Sequence, residues 1–172
     1  LAVLGQVPYH TLTFYEYAVV PLFVLMGLFA FNSGISRGLF QACYKWLGHL
    51  PGGLAMSAIG GCAFFAAICG SSMPTAATMA VIALPEMKRY GYDPALATGS
   101  LAAGGTLGVL IPPSIGFVIY GIITEQSIGK LLIAGIFPGV LLSSLFLLTV
   151  YIQCRLKPSL GPPGPAATWG ER

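Results

Sequence analysis

The sequence predicts an all-α integral membrane protein in which transmembrane helices are combined with a re-entrant helical hairpin and a discontinuous helix. Three observations predict it. Of the 172 residues 56% are hydrophobic and only 8% charged, with a mean hydropathy of +0.83, whereas a soluble domain is nearer a quarter charged. The charges avoid three long windows, Tyr17 to Ser36, Pro94 to Thr124 and Leu131 to Cys154, each able to cross a bilayer, which takes about 20 apolar residues. Finally, two breaker-rich segments, Gly70-Ser71-Ser72-Met73-Pro74-Thr75 and Gly104 to Ser114, interrupt otherwise apolar, uncharged sequence. In lipid every backbone N–H and C=O must be satisfied internally, so irregular backbone at membrane depth persists only where it is buried in protein or lines a cavity.

Residues 1–34 read as a loop followed by a first transmembrane helix. Pro8 and His10 lie in the loop, Phe14, Tyr15 and Tyr17 form an aromatic cluster of the kind found at membrane interfaces, and a helix from about Tyr17 to Phe31 ends at Asn32-Ser33-Gly34. Residues 35–53 carry an amphipathic helix. Arg37, Gln41, Lys45 and His49 recur every four residues, and Leu39, Cys43, Trp46 and Leu50 take another face, a pattern suited to lie along a membrane surface. It serves either as a simple connector or as an arm between moving and fixed parts.

Residues 54–90 hold the hairpin. An apolar run from Leu54 to Cys69 leads into the Gly70–Pro74 break, and a second run extends from Thr75 to about Leu84, before a loop with Glu86, Lys88, Arg89 and Asp93. Arms of about a dozen helical residues rise about 18 Å, too little for a hydrocarbon core of about 30 Å, which favours re-entry over two crossings. Residues 93–124 form the broken helix: Asp93-Pro94 is a cap followed by proline at the first helical position, and Ile111-Pro112-Pro113-Ser114, preceded by Gly104, Gly105 and Gly108, interrupts it. Residues 131–155 form a last transmembrane helix, from Leu132 to about Gln153, in which Pro138-Gly139 is the place for a kink. Residues 156–172 hold Pro158, Pro162, Pro163 and Pro165 and read as a flexible linker. If the hairpin leaves on the side it enters, Arg37, Lys45, Lys88, Arg89, Arg155 and Lys157 share one side against Lys130 on the other. That asymmetry marks a cytoplasmic face and puts 35–53, 86–93 and the tail there.

Several function classes are excluded or disfavoured. The net charge of +3 is small and scattered, giving no nucleic-acid footprint. Cys43, Cys62, Cys69 and Cys154 lack metal or redox spacing. A serine hydrolase using Ser71 or Ser72 would need an activating base, and His10 and His49 lie at loop and surface positions, so no enzyme is expected. A purely structural membrane subunit accounts for the apolar helices but not for two breaks.

The breaks permit a different chemistry. Both leave backbone groups unpaired and add the hydroxyls of Ser71, Ser72, Thr75, Thr106 and Ser114. Hydroxyl and carbonyl oxygens can replace the hydration shell of a small hard cation such as Na⁺. Half-helices beginning near Thr75 and Ser114 would direct positive dipole ends inward, which suits a carboxylate, so Ser72, Thr75 and Ser114 are the candidate substrate-binding residues. No Asp, Glu, Lys or Arg is available at membrane depth, and sodium coupling therefore fits better than a proton relay.

At these motifs the chain resembles a known family. His49-Leu50-Pro51-Gly52-Gly53-Leu54-Ala55, Phe64 to Ser72, Thr75-Ala76-Ala77-Thr78-Met79, Pro85-Glu86-Met87, Gly91-Tyr92-Asp93, Ala103-Gly104-Gly105-Thr106-Leu107-Gly108, Ile111-Pro112-Pro113-Ser114 and Ser127-Ile128-Gly129-Lys130-Leu131 look like the DctM-type large permease subunit of tripartite ATP-independent periplasmic (TRAP) transporters. The resemblance runs from about Phe14 to the tail. It implies a bacterial inner-membrane, sodium-coupled importer of small organic anions with an elevator-like transport domain, working with a small membrane subunit, or a fused equivalent, and a periplasmic substrate-binding protein. C4-dicarboxylates, sialic acids, other sugar acids and keto acids all remain open as substrates. It also implies that hairpin and broken helix form one sodium site, with Ser71, Ser72 and Thr75 in the hairpin tip and Gly105, Thr106, Gly108, Ile111, Pro112 and Pro113 in the unwound segment, several through backbone carbonyls. Two departures accompany it. A second, inverted half has no counterpart here, so the chain reads as the larger part of one half-transporter whose tail resembles the linker between halves. Met73-Pro74 also places proline at the tip, where the family pattern leads one to expect a small residue.

Overall fold

The computed structural model describes residues 19–163, and every described element is helical. The N-terminal loop, the aromatic cluster of Phe14, Tyr15 and Tyr17, and the end of the tail (164–172) lie outside the described residues. The helices are α1 (Val19–Asn32), α2 (Ile35–Leu47), α3 (Gly53–Cys69), α4 (Ser72–Arg89), α5 (Pro94–Leu110), α6 (Ile115–Thr124) and α7 (Ile128–Leu156), followed by a 3₁₀ turn at Pro158–Leu160. Two segments, Pro94–Thr124 and Ile128–Leu156, are long and apolar enough to cross a membrane, and α1 with α2 would supply a third if that bent pair is one span.

Helix α1 bends by 65° into α2 through Gly34, whose φ of +78° lies in the left-handed region that glycine enters without a steric penalty. Helix α2 is amphipathic as its spacing predicts: Ser36, Phe40 and Cys43 are buried, while Arg37, Gln41, Lys45 and His49 are exposed. Trp46 remains 64% exposed, an apolar ring available to an interface.

Helix α3 is the centre of the molecule. Most of its residues are buried, because α1, α2, α4, α5 and α7 all pack on it. In a membrane, helices associate through close van der Waals packing of small residues rather than through water exclusion. Here Gly60 faces the Cys43 sulfur, and Gly104 of α5 lies against Cys62, where an added Cβ would stand 2.9 Å from Sγ. Phe65, Ile59, Met79, Met87 and Leu107 are the largest fully buried side chains.

The hairpin arms exceed their expected length. They contain 17 and 18 residues, about 25–27 Å, rather than about a dozen. Proline explains the difference at the start of α4, since Pro74 falls in the first turn, where a missing N–H is harmless. The break is thus confined to Gly70 and Ser71. At the other end α4 continues through Pro85 to Arg89, placing Glu86, Lys88 and Arg89 in a helical turn rather than a loop; Lys88 and Arg89 suit the negative pole of the helix. The tip abuts the break in the discontinuous helix, and the 10 residues of α6 continue about 15 Å beyond it.

Asp93 caps α5 as expected: its Oδ1 accepts from the Ala95 and Leu96 N–H groups at 2.9 and 3.2 Å. The unwound segment is shorter than the resemblance implies. Helix α5 remains regular through Gly104, Gly105 and Gly108 and ends only at Leu110, so Gly105, Thr106 and Gly108 are helical and the break is Ile111–Ser114. The prolines set it: Pro112 drives Ile111 into an extended conformation, φ −79° and ψ 124°. The interior glycines each cost helix stability but allow the close approaches described below. Helix α7 spans 29 residues, Ile128 to Leu156, with Pro138 inside it.

The tail is also corrected in part. Its first residues pack on the hairpin base instead of forming a free linker, with the Gly52 N–H donating to the Gly161 carbonyl and the Asp93 N–H to the Leu160 carbonyl, both at 2.9 Å.

Candidate functional site

Four helix ends meet where the hairpin tip enters the break. Helices α3 and α5 end there, and α4 and α6 begin there. Each C-terminus leaves carbonyls without intrahelical partners and each N-terminus leaves N–H groups, so the junction offers both acceptors and donors without any charged side chain. The Ile115 N–H at the start of α6 donates to the Gly70 carbonyl at 3.1 Å. Gly70 closes α3 with φ +64°, and a Cβ there would stand 2.5 Å from the Pro113 carbonyl oxygen. Both its conformation and its surroundings therefore require glycine.

The second contact is along α5. A Cβ on Gly108 would collide with the Ser71 carbonyl oxygen and stand 2.8 Å from the Ser72 nitrogen, and one on Gly105 would stand 2.6 Å from the Ala76 Cβ. These two glycines seat the tip directly on the α5 backbone.

The sequence-selected residues take different places at this junction. Ser71, Ser72 and Thr75 form the tip. Thr75 is buried, and its hydroxyl donates to the Ser71 carbonyl at 2.7 Å, fixing the extended residue that precedes α4. Ser71 and Ser72 are half-buried, and the Ser71 hydroxyl does not cap the helix it precedes. Ile111, Pro112 and Pro113 form the break, joined by a cis peptide between the prolines, and Gly105 and Gly108 hold the tip against α5. Ser114 is fully buried and braces the break: its Oγ donates to the Val109 carbonyl and accepts from the Gly116 N–H at 3.2 Å. Thr106 is not brought in by its side chain. It is exposed, and its hydroxyl donates to the Ala103 carbonyl at 2.7 Å, because Gly105 and Gly108 occupy the face that meets the hairpin.

Some participants carry no side-chain signal in the sequence, namely the Gly70 and Val109 carbonyls and the Ile115 N–H. Another is Gly27 of α1, where a Cβ would stand 2.9 Å from the Cys69 sulfur; a small residue midway along an apolar helix was the available hint. Beside it a cavity of about 220 Å³ lies between α1 and the tip, lined among others by Leu28, Ser71, Pro74, Thr78 and Ile115. On the α7 side, an apolar groove of about 650 Å³ has Ile111, Pro112 and Pro113 along one wall.

The donor set at the junction consists of uncharged oxygens, and among the described residues no three His, Cys, Asp or Glu side chains cluster. Neutral hydroxyl and carbonyl oxygens fit a hard monovalent cation. Among the described residues the one histidine, His49, is exposed beyond the other end of α3 from Ser71 and Ser72, about 25 Å of helix away.

Residues 2–170 match the family described as the DctM component of the tripartite ATP-independent periplasmic transporter. The chain is 42% identical over 149 residues to the C4-dicarboxylate TRAP transporter large permease protein DctM of Pseudomonas aeruginosa, covering 87% of this chain and 35% of that protein. It is 35% identical over 153 residues to the ectoine TRAP transporter large permease protein TeaC of Halomonas elongata, covering 89% and 35%. It is 34% identical over 160 residues to the sialic acid TRAP transporter permease protein SiaT of Haemophilus influenzae, covering 92% and 26%. The chain thus spans about a third of the length of the curated relatives it matches. The family match over residues 2–170 and these identities show that the chain belongs to the DctM family of tripartite ATP-independent periplasmic transporters, whose members are transporters and not enzymes.

Proposed function

We propose that this chain is the part of a sodium-coupled importer of small organic anions that carries one sodium site and one side of the substrate site. The observation that carries the reading is the seating of the Ser71–Ser72 tip on Gly108 and against Pro113 and Ile115, which gathers uncharged oxygens beside two helix N-termini. Na⁺ would take hydroxyl and carbonyl oxygens from Ser71, Ser72, Thr75 and the 105–113 segment. The anion's carboxylate would meet the N-terminal ends of α4 and α6 near Ser72, Thr75 and Ser114, where the helix dipole is positive. Bound sodium would supply charge to draw the anion to a site that has no charged side chain of its own.

The substrate class is small and polar. Relatives are named for C4-dicarboxylates, ectoine, sialic acid, isethionate and 2,3-diketo-L-gulonate, most of which bear a carboxylate. The tripartite description supports two partners, a small membrane subunit and a periplasmic binding protein that delivers the anion. The location that fits is a bacterial inner membrane, in contact with its lipid. Residues 35–53, 86–93 and the tail would face the cytoplasm, by the excess of Lys and Arg on that side.

The test uses the intact permease with its partner subunits in proteoliposomes. Uptake of the organic anion is expected to require an inward sodium gradient and to fall to background when K⁺ replaces Na⁺ on both sides. Equal uptake with and without sodium would overturn the reading.

A further inference from the structure

The hairpin base, at the opposite end from the tip, holds a second set of contacts. Gly52 precedes α3, Tyr92 and Asp93 follow α4, and the segment Lys157–Pro162 follows α7. Three hydrogen bonds join them: Gly52 N–H to the Gly161 carbonyl at 2.9 Å, Asp93 N–H to the Leu160 carbonyl at 2.9 Å, and the Tyr92 hydroxyl to the Pro162 carbonyl at 3.0 Å. The same hydroxyl accepts from the Leu54 N–H at 3.1 Å, so one phenol ties the start of α3 to the strap. Tyr92 is 6% exposed, and burial pushes its hydroxyl up to about 12, which keeps it a neutral donor at physiological pH. Packing is tight around Gly161, where a Cβ would stand 2.9 Å from Tyr92 Cε1, 3.0 Å from Cys154 Sγ and 3.2 Å from Gly52 Cα.

We propose that Lys157–Pro162 is a clasp that stays closed in every state the protein visits, with Tyr92 as its keystone, so that the hairpin never hinges at its base. Opening it would part the donors of Gly52 and Asp93 and a buried phenol from their acceptors, and a buried donor left unmet costs more than a made hydrogen bond contributes. The tip then moves only together with the start of α5 and the end of α7, because the clasp binds all three at the base.

The test uses Gly52→Cys in the intact permease, where the new Cβ would stand 2.7 Å from the sulfur of the native Cys154, so that a disulfide would fix the hairpin base to the end of α7. Oxidation is expected to yield the 52–154 linked peptide by mass spectrometry and to leave sodium-driven uptake within twofold of the reduced protein. Failure of the link to form in folded protein, or a fall in uptake of more than tenfold on oxidation that reductant reverses, would overturn the clasp. The uptake arm rests on the transport reading, so a second measurement stands apart from it. In Tyr92→Phe, backbone amide exchange at Gly52, Leu54 and Asp93 is expected to accelerate about tenfold or more, because both hydrogen bonds of the phenol are lost. Unchanged exchange there would remove Tyr92 as keystone whatever the protein transports.

Discussion

Gly108→Ala in the intact permease is expected to lower sodium-driven uptake by at least about a hundredfold, because one methyl group displaces the hairpin tip. The added Cβ would meet the Ser71 carbonyl oxygen and the Ser72 nitrogen, both backbone atoms that cannot turn aside as a side chain can. Relief requires moving the tip away from α5, and with it Ser71 and Ser72. Overpacking of this kind costs about 1–3 kcal/mol, enough to lower the thermal midpoint as well. The control is Gly99→Ala on the same helix, where nothing lies within 4 Å of the new Cβ. There alanine improves helix stability by about 0.5–1 kcal/mol, so uptake and midpoint are expected to hold or rise. Equal effects of the two substitutions would show that the Gly108 contact does not position the site.

Gly70→Ala is expected to be the most damaging single change at the tip. Two effects add at this residue. An L side chain at φ +64° carries about 1–2 kcal/mol of strain, and its Cβ stands 2.5 Å from the Pro113 carbonyl oxygen. The Gly70 carbonyl is also the acceptor for the Ile115 N–H, so a shift that relieves the clash breaks the bond joining hairpin and broken helix. Gly34→Ala separates the two effects: φ is +78° there, with nothing within 4 Å, so only the strain is felt. Uptake and midpoint measured for both should show the larger loss at Gly70. If Gly34→Ala is as harmful, backbone conformation alone governs and the Pro113 contact is immaterial.

The parts of this architecture legible in the sequence are those set by local chemistry. The four-residue spacing of Arg37, Gln41, Lys45 and His49 reports an exposed helix face, and Asp93-Pro94 reports a cap and a start, because both depend only on near neighbours. The two breaks are legible because proline and αL glycine act on the chain itself. What the sequence leaves open is tertiary. Gly105 and Gly108 resemble helix breakers in composition, yet α5 stays helical through them because the hairpin backbone needs the space a Cβ would fill. Thr106 shares their segment and faces away, since helical phase decides which neighbour of a glycine meets the partner. Ser114 carries a hydroxyl like Ser71, but the break folds it onto the Val109 carbonyl. The order of Lys157–Pro162 depends on Gly52, Tyr92 and Asp93, residues about 65 to 110 positions earlier, and no local rule for a proline-rich segment reveals it.

Whether the tip hydroxyls hold the coupling ion is tested most directly by a sodium titration of anion uptake by the Ser71→Ala, Ser72→Ala double variant of the intact permease. Neither hydroxyl caps or braces the fold as those of Thr75 and Ser114 do, so the variant is expected to fold and to show an unchanged thermal midpoint without sodium. The sodium concentration for half-maximal uptake should rise by about tenfold or more, since losing even one charge-assisted ligand hydroxyl costs about 1.5–3 kcal/mol. A well-folded double variant with the sodium activation curve of the parent would contradict the assignment and place the coupling ion elsewhere.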